Sequence, residues 1–147
     1  MEKVNLLRLL NERRVDYVII GVVAFPIHGY ARATLDLDLF IRPSAENAQK
    51  TLEALSAFGY DTHEISSQDL MTKKVLIRQY SLETDIHPFV KGVTFDQVWA
   101  NKVAGQIGGV SVSFASLDDL IQMKKAAGRV KDQEDLKALL KLKELIK

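Results

Sequence analysis

Apolar residues recur at helical spacing through the first stretch of the chain, where Val4, Leu6, Leu7, Leu9 and Leu10 stand among Glu2, Lys3, Arg8, Glu12 and Arg13. That pattern predicts an opening amphipathic helix. "DYVIIG" then reads as a buried strand ended by Gly21, and "VVAFPIHG" as a short apolar helix limited by Pro26 and closed by Gly29. "LDLDLFI" is the next strand. Pro43 and Ser44 interrupt the pattern, and "SAENAQKTLEALSAFG" predicts a helix capped by Ser44, with Ala48, Leu52 and Leu55 inward and Gly59 at its end. "YDTHEI" admits a strand, and "SSQDLM" a capped helical turn, because Ser66 and Asp69 have capping-box spacing. "KVLIRQYSLETDIHPFV" is rich enough in β-branched and aromatic residues for one long strand or two short ones bent near Ser81 or Glu83. "TFDQVWANKV" predicts a short helix opened by Thr94, and "AGQIGGVSVSFA" a hairpin turning at Gly108 and Gly109. Two helices follow: "SLDDLIQMKKAAG", capped by Ser116 and stopped by Gly128, and "KDQEDLKALLKLKELIK", with Leu136, Leu139, Leu140 and one of Leu142 and Leu145 inward.

This order of elements predicts an α/β (α+β) fold, a mixed sheet with helices mainly on one face and two helices closing the chain. A length of 147 residues, 47% hydrophobic and 27% charged, suits one domain over residues 1–147, of which 116–147 form a C-terminal helical part. A formal net charge of +1 argues against broad capture of duplex nucleic acid. It leaves room for a local basic patch, since Lys124 to Lys147 holds eight Lys or Arg against four Asp or Glu. The absence of cysteine removes disulfides, thiolate zinc sites and cysteine nucleophiles together. No apolar run approaches a membrane span, and the opening segment lacks a signal-peptide apolar block, so a soluble cytoplasmic protein without a membrane partner is expected.

The chemistry concentrates in "GYARATLDLDLFI". On a strand, Asp36 and Asp38 share one face while Leu35, Leu37 and Leu39 share the other, so two like charges stand side by side. Solvated charges on an edge strand would account for them, as would a pair of oxygen ligands for a divalent cation. A strand, a glycine, a short helix and a strand bearing Asp-x-Asp favour the second reading. Backbone amides at the turn would face the carboxylates, and the helix N-terminus would add a favourable potential for phosphate. Asp85, a lone acid in the apolar context of "LETDIHPF", is the candidate third carboxylate. His28, His63 and His87 are not spaced as a metal cluster and read as structural; His28 lies nearest the glycine turn. Trp99, among Phe95 and Val98, reads as core.

Taken together, "YVIIGVVAFPIHGYARATLDLDLFI", "TDIHPF", "GVTFDQVWAN" and "SLDDLIQMKKAAGRVKDQEDLKAL" resemble the small bacterial members of the DNA polymerase beta-like nucleotidyltransferase superfamily, including the AbiEii-like toxin group. The resemblance implies that Asp36, Asp38 and Asp85 are catalytic metal ligands for Mg2+ or Mn2+. It places Gly21, Val22, Arg32, Thr34 and Lys124 at the nucleotide, and Arg129 and Lys131 in a basic rim. It further implies transfer of a nucleoside monophosphate from a nucleoside triphosphate to a hydroxyl on RNA, protein or a small molecule, in a toxin-antitoxin setting among its relatives. One position departs: Val22 stands where that pattern has Gly or Ser, and its Cβ restricts the approach of a phosphate. Alternative readings are therefore a degenerate binding module or antitoxin-like partner that keeps the fold without the chemistry, and a phosphate-binding hydrolase.

Overall fold

The computed structural model describes residues 2–34 and 36–145. Helix α1 spans Glu2–Glu12 and buries Val4, Leu6, Leu7 and Leu10, the stripe its spacing predicts. Strand β1, Tyr17–Ile20, is buried along its whole length, as a central strand covered on both faces must be. Strand β2, Asp36–Ile41, and helix α2, Ala45–Phe58, follow. Ser44 accepts the Asn47 amide at 3.2 Å to start α2. Asn47 itself is buried, and its side chain donates to the carbonyls of Asp16 and Arg42 while accepting from the Asp16 amide. One polar side chain thereby ties the entry of β1 to the exit of β2. On α2 the inward residues are Ala48, Thr51, Ala54 and Leu55, with Leu52 half-buried.

Helix α3, Ser67–Thr72, carries the capping box expected of Ser66 and Asp69, and the Ser66 backbone amide holds the Asp69 carboxyl below its usual range. Strands β3, Val75–Ile77, and β4, Glu83–His87, are the two short strands, paired antiparallel around the turn at 78–82. Helix α4, Phe95–Asn101, is capped by Thr94, whose hydroxyl accepts the Gln97 amide at 3.2 Å, while the Gln97 side chain donates to the buried Asp119 at 2.7 Å. Strands β5, Val103–Ile107, and β6, Val110–Phe114, form the hairpin. Its two-residue turn has positive φ at Gly108 and Gly109 (55° and 81°), which suits the twist of the strands. Helices α5, Leu117–Ala127, and α6, Gln133–Leu145, close the described chain. On α6, Leu139 is fully buried, Leu136, Leu140 and Leu142 partly so, and Leu145 is exposed.

The six strands form one mixed sheet in the order β3-β4-β2-β1-β6-β5, parallel at β4-β2 and β1-β6 and antiparallel elsewhere. Helix α1 packs on α2 and α2 on α3, while α5 and α6 pair with each other. Among the described residues no helix is long and apolar enough to cross a membrane.

Three sequence expectations change. Strand β2 lies inside the sheet between β4 and β1, so solvated edge charges do not explain its acids. Residues 60–65 form no strand, because Asp61 accepts the His63 amide at 3.0 Å and Thr62 the Ile65 amide at 3.0 Å, local bonds that compete with a ladder. The segment after Gly21 is two short 3-10 turns, Val22–Ala24 and Pro26–His28, in place of one helix. Pro26 lacks the amide that would have continued the first turn. Leu35, expected on the face opposite the acids, and residues 146–147 of the last helix lie outside the described residues.

Candidate active site

Parallel pairing of β2 with β4 sets Asp36 opposite Glu83, Asp38 opposite Asp85 and Phe40 opposite His87. Because strand side chains alternate, Asp36 and Asp38 project to the face that also carries Asp85 and His87. All four line one cleft, with Gly21 and Val22 on its edge. Ligand atoms of Asp38, Asp85 and His87 lie within 4.8 Å of one another, and the imidazole Nε2 is 2.9 Å from Asp38 Oδ1. Asp85 is buried and accepts from Arg78 Nη1 at 2.6 Å. That bond, ahead of all else, raises the Arg78 pKa. Asp36 is half-buried, and its Oδ1 is a buried oxygen without a hydrogen-bond partner. Beside it, Glu83 is held above the usual carboxylate range, first by hydrogen bonding to Asp36, then by burial and by the charge of Asp36.

Gly21 is fitted to this floor. Its φ of 72° and ψ of −160° lie in a region open essentially to glycine alone. A Cβ placed there would come 2.5 Å from Asp38 Oδ2. Gly21→Ala is expected to destabilise the protein by about 1–2 kcal/mol through backbone strain. It should also reduce any stabilisation by Mg2+ or Mn2+, because Asp38 must turn aside. Thermal unfolding with and without either ion measures both effects, and a mutant indistinguishable from wild type in both would refute them.

Residues 2–147 match the family described as "Nucleotidyl transferase of unknown function (DUF2204)". The chain belongs to that family. No curated protein matches it.

A family of transferases acting on nucleotides turns attention to the cations of the cleft. Lys74, Lys91, Lys124, Arg129 and Lys131 all line it. Two of them are already occupied: Asp132 accepts from Lys124 at 3.0 Å and from Arg129 at 2.7 and 3.2 Å. Lys74, Lys91 and Lys131 are exposed on the rim. Arg32 and Thr34 line a neighbouring groove with Gln106 and Phe114. The Arg32 guanidinium lies 3.4 Å from Asp135, and the Thr34 hydroxyl accepts the Asp36 amide at 3.0 Å, which fixes the start of β2.

The turn after Gly21 is also more modest than a helix. Within it Ala24 and Phe25 donate to the carbonyls of Gly21 and Val22, leaving the Val22 and Val23 amides outside the intra-turn bonds. A three-residue turn has little dipole, so individual amides would have to serve an anion there.

The sequence alone reads His87 as structural and assigns no role to Arg78, Lys74 or Lys91. For His87 a signal was present: it follows Asp85 by two, so any strand that aims one into the cleft aims the other. Arg78 sits in the turn between β3 and β4, and its approach to Asp85 depends on a pairing that periodicity does not reveal. His28, by contrast, bonds the Ala115 carbonyl at 2.8 Å, away from the cleft floor. Trp99 is half-buried, stacked on Phe95 with Lys102 Nζ 4.0 Å from its ring centre.

The donor set fits a hard divalent cation. Carboxylate oxygens from two adjacent strands converge, one buried oxygen of Asp36 has no protein donor, and cations beyond the floor suit the phosphates such an ion carries.

Proposed function

We propose that the chain is a metal-dependent nucleotidyltransferase that moves a nucleoside monophosphate from a nucleoside triphosphate to a hydroxyl acceptor. The observation that carries this reading is the meeting of Asp36, Asp38 and Asp85 on two paired strands of a single cleft, with Gly21 packed on Asp38, in a chain of this family. In the reaction the acceptor hydroxyl gives up its proton to water as its oxygen bonds to the α-phosphorus, the bond from that phosphorus to the α,β-bridging oxygen breaks, and pyrophosphate leaves with the electron pair. Asp36, Asp38 and Asp85 would hold Mg2+ or Mn2+, which supplies neutralisation of phosphate charge and a lowered acceptor pKa.

The remaining roles belong to the chain itself. Gly21 and Val22 bring backbone amides to the phosphates, and Lys74, Lys91 and Lys131 attract the triphosphate from the rim. Thr34 positions Asp36 through its amide, and Arg32 and Lys124 act by holding the wall around Asp135 and Asp132. RNA, protein and small hydroxylated molecules are the acceptor classes, and a toxin-antitoxin partnership is the cellular setting proposed.

Val22 supports a second reading, a nucleotide-binding module without transfer, because its side chain stands where the triphosphate would approach Gly21. Incubation with α-labelled nucleoside triphosphates, Mg2+ or Mn2+, and bacterial RNA and protein extracts separates the two. Labelled acceptor from the wild type supports transfer. Nucleotide binding without label, with label appearing in Val22→Ser, supports the binding module. Neither binding nor label in either protein would refute both.

A further inference from the structure

Resting on the carboxylate metal site just proposed, we infer that His87 is a direct nitrogen ligand of that site, and that the site therefore prefers Mn2+ over Mg2+. Cis ligands of an ion bound at about 2.1 Å are about 3 Å apart. The Asp38 Oδ1 and His87 Nε2 atoms, 2.9 Å apart, already have that spacing. Asp85 completes a group of one nitrogen and two carboxylates within 4.8 Å. Arg78 engages Oδ1 of Asp85, so the carboxylate retains a second oxygen for an ion. Independent of this trio, the partnerless buried Oδ1 of Asp36 lines the same cleft. His87 is partly buried on the cleft face of β4, and the one hydrogen-bond partner of its Nε2 among the described residues is Asp38, itself a member of the proposed ligand set.

The consequence for metal choice is chemical. Mg2+ takes oxygen ligands and keeps several waters, whereas the divalent ions of the first transition row, of which Mn2+ is the first and weakest binder, accept an imidazole nitrogen beside carboxylate oxygens. An imidazole at the floor thus sets this cleft apart from an all-carboxylate one. A structural histidine that only orients Asp38 through its hydrogen bond predicts something different, since a hydrogen-bonding replacement would serve equally well.

The test uses the full chain, one equivalent of Mn2+ and no nucleotide. Electron spin echo envelope modulation of the bound Mn2+ should show coupling to one 14N nucleus, and His87→Gln should abolish it. Calorimetry should show Mn2+ binding at least about tenfold tighter than Mg2+ in the wild type, with most of that difference lost in His87→Gln. Mn2+ bound without 14N coupling would overturn the inference while leaving the three-carboxylate site standing, as would a His87→Gln protein that keeps both coupling and preference. Failure of both ions to bind the wild type would overturn the carboxylate site and the inference together. The spectrum of the wild type alone decides the point, so a poorly folded variant does not shield it.

Discussion

Asp38→Asn is expected to lower nucleotidyl transfer by a factor of about 10³ and yet leave the metal-free protein as stable as the wild type or more so. The two effects have one cause. Asp38 stands opposite Asp85 in the β2-β4 register, two residues from Asp36, with Glu83 opposite Asp36. Four acids on adjoining strands repel, and the single guanidinium of Arg78 answers only part of that charge. Asn preserves the shape of the side chain and the acceptor oxygen that faces His87, while removing the negative charge a divalent ion requires. Metal-free stability should therefore rise by a few tenths of a kcal/mol up to about 1 kcal/mol, and the stabilisation conferred by Mn2+ should fall toward zero. Denaturant unfolding with and without Mn2+, beside a transfer assay, measures all three quantities. A variant that loses stability in the metal-free state but still gains from Mn2+ would show that Asp38 is a structural acid.

The cleft floor was legible in the sequence to the extent that it is local. A period of two places Asp36 with Asp38 whatever lies beside them, and capping pairs marked α3, α4 and α5 because the cap is written within four residues. What escaped depends on neighbours distant in the chain. The interior position of β2 follows from pairing with both β1 and β4, and neither partner is readable from "LDLDLFI". Asp85 stands out in the sequence as an isolated acid in an apolar segment, whereas histidine spacing along the chain does not contain the strand register that brings His87 to Asp38. The turn after Gly21 has an apolar composition that suggests a helix. Its geometry is instead governed by Pro26 and by Asp38, which occupies the space a Cβ at position 21 would need. Charge counts suggest a rim for anions among the basic residues near the C-terminus, but they do not show which of those cations already have a partner.

Those partners make the second large effect. Asp132→Ala is expected to cost about 2–4 kcal/mol of unfolding free energy, because it leaves the partly buried Lys124 ammonium without its nearest acid. Asp132 is 3% exposed; it receives Lys124 from α5 and Arg129 from the turn before α6, and so joins the last two helices across the cleft wall. Asp135, equally buried, extends the network to Lys124 Nζ at 3.5 Å, the Tyr30 hydroxyl at 3.0 Å and Arg32. The bond to Asp135 is the first reason that the Tyr30 pKa is raised. For Asp132, burial pushes the carboxyl upward, but the hydrogen bonds from Arg129 and Lys124 outweigh it, and the group is held below its usual range. A carboxyl with a depressed folded-state pKa contributes stability that is fully present above its unfolded value of about 3.9 and is lost as the pH falls through the folded value. The wild type should accordingly lose stability as the pH drops below about 4, and Asp132→Asn, less stable than wild type at pH 7, should lose less over the same interval. Denaturant midpoints for both proteins at pH 7, 4 and 3 provide the comparison. Parallel acid limbs in the two proteins would show that Asp132 is not the acid that fastens α6 to the wall of the cleft.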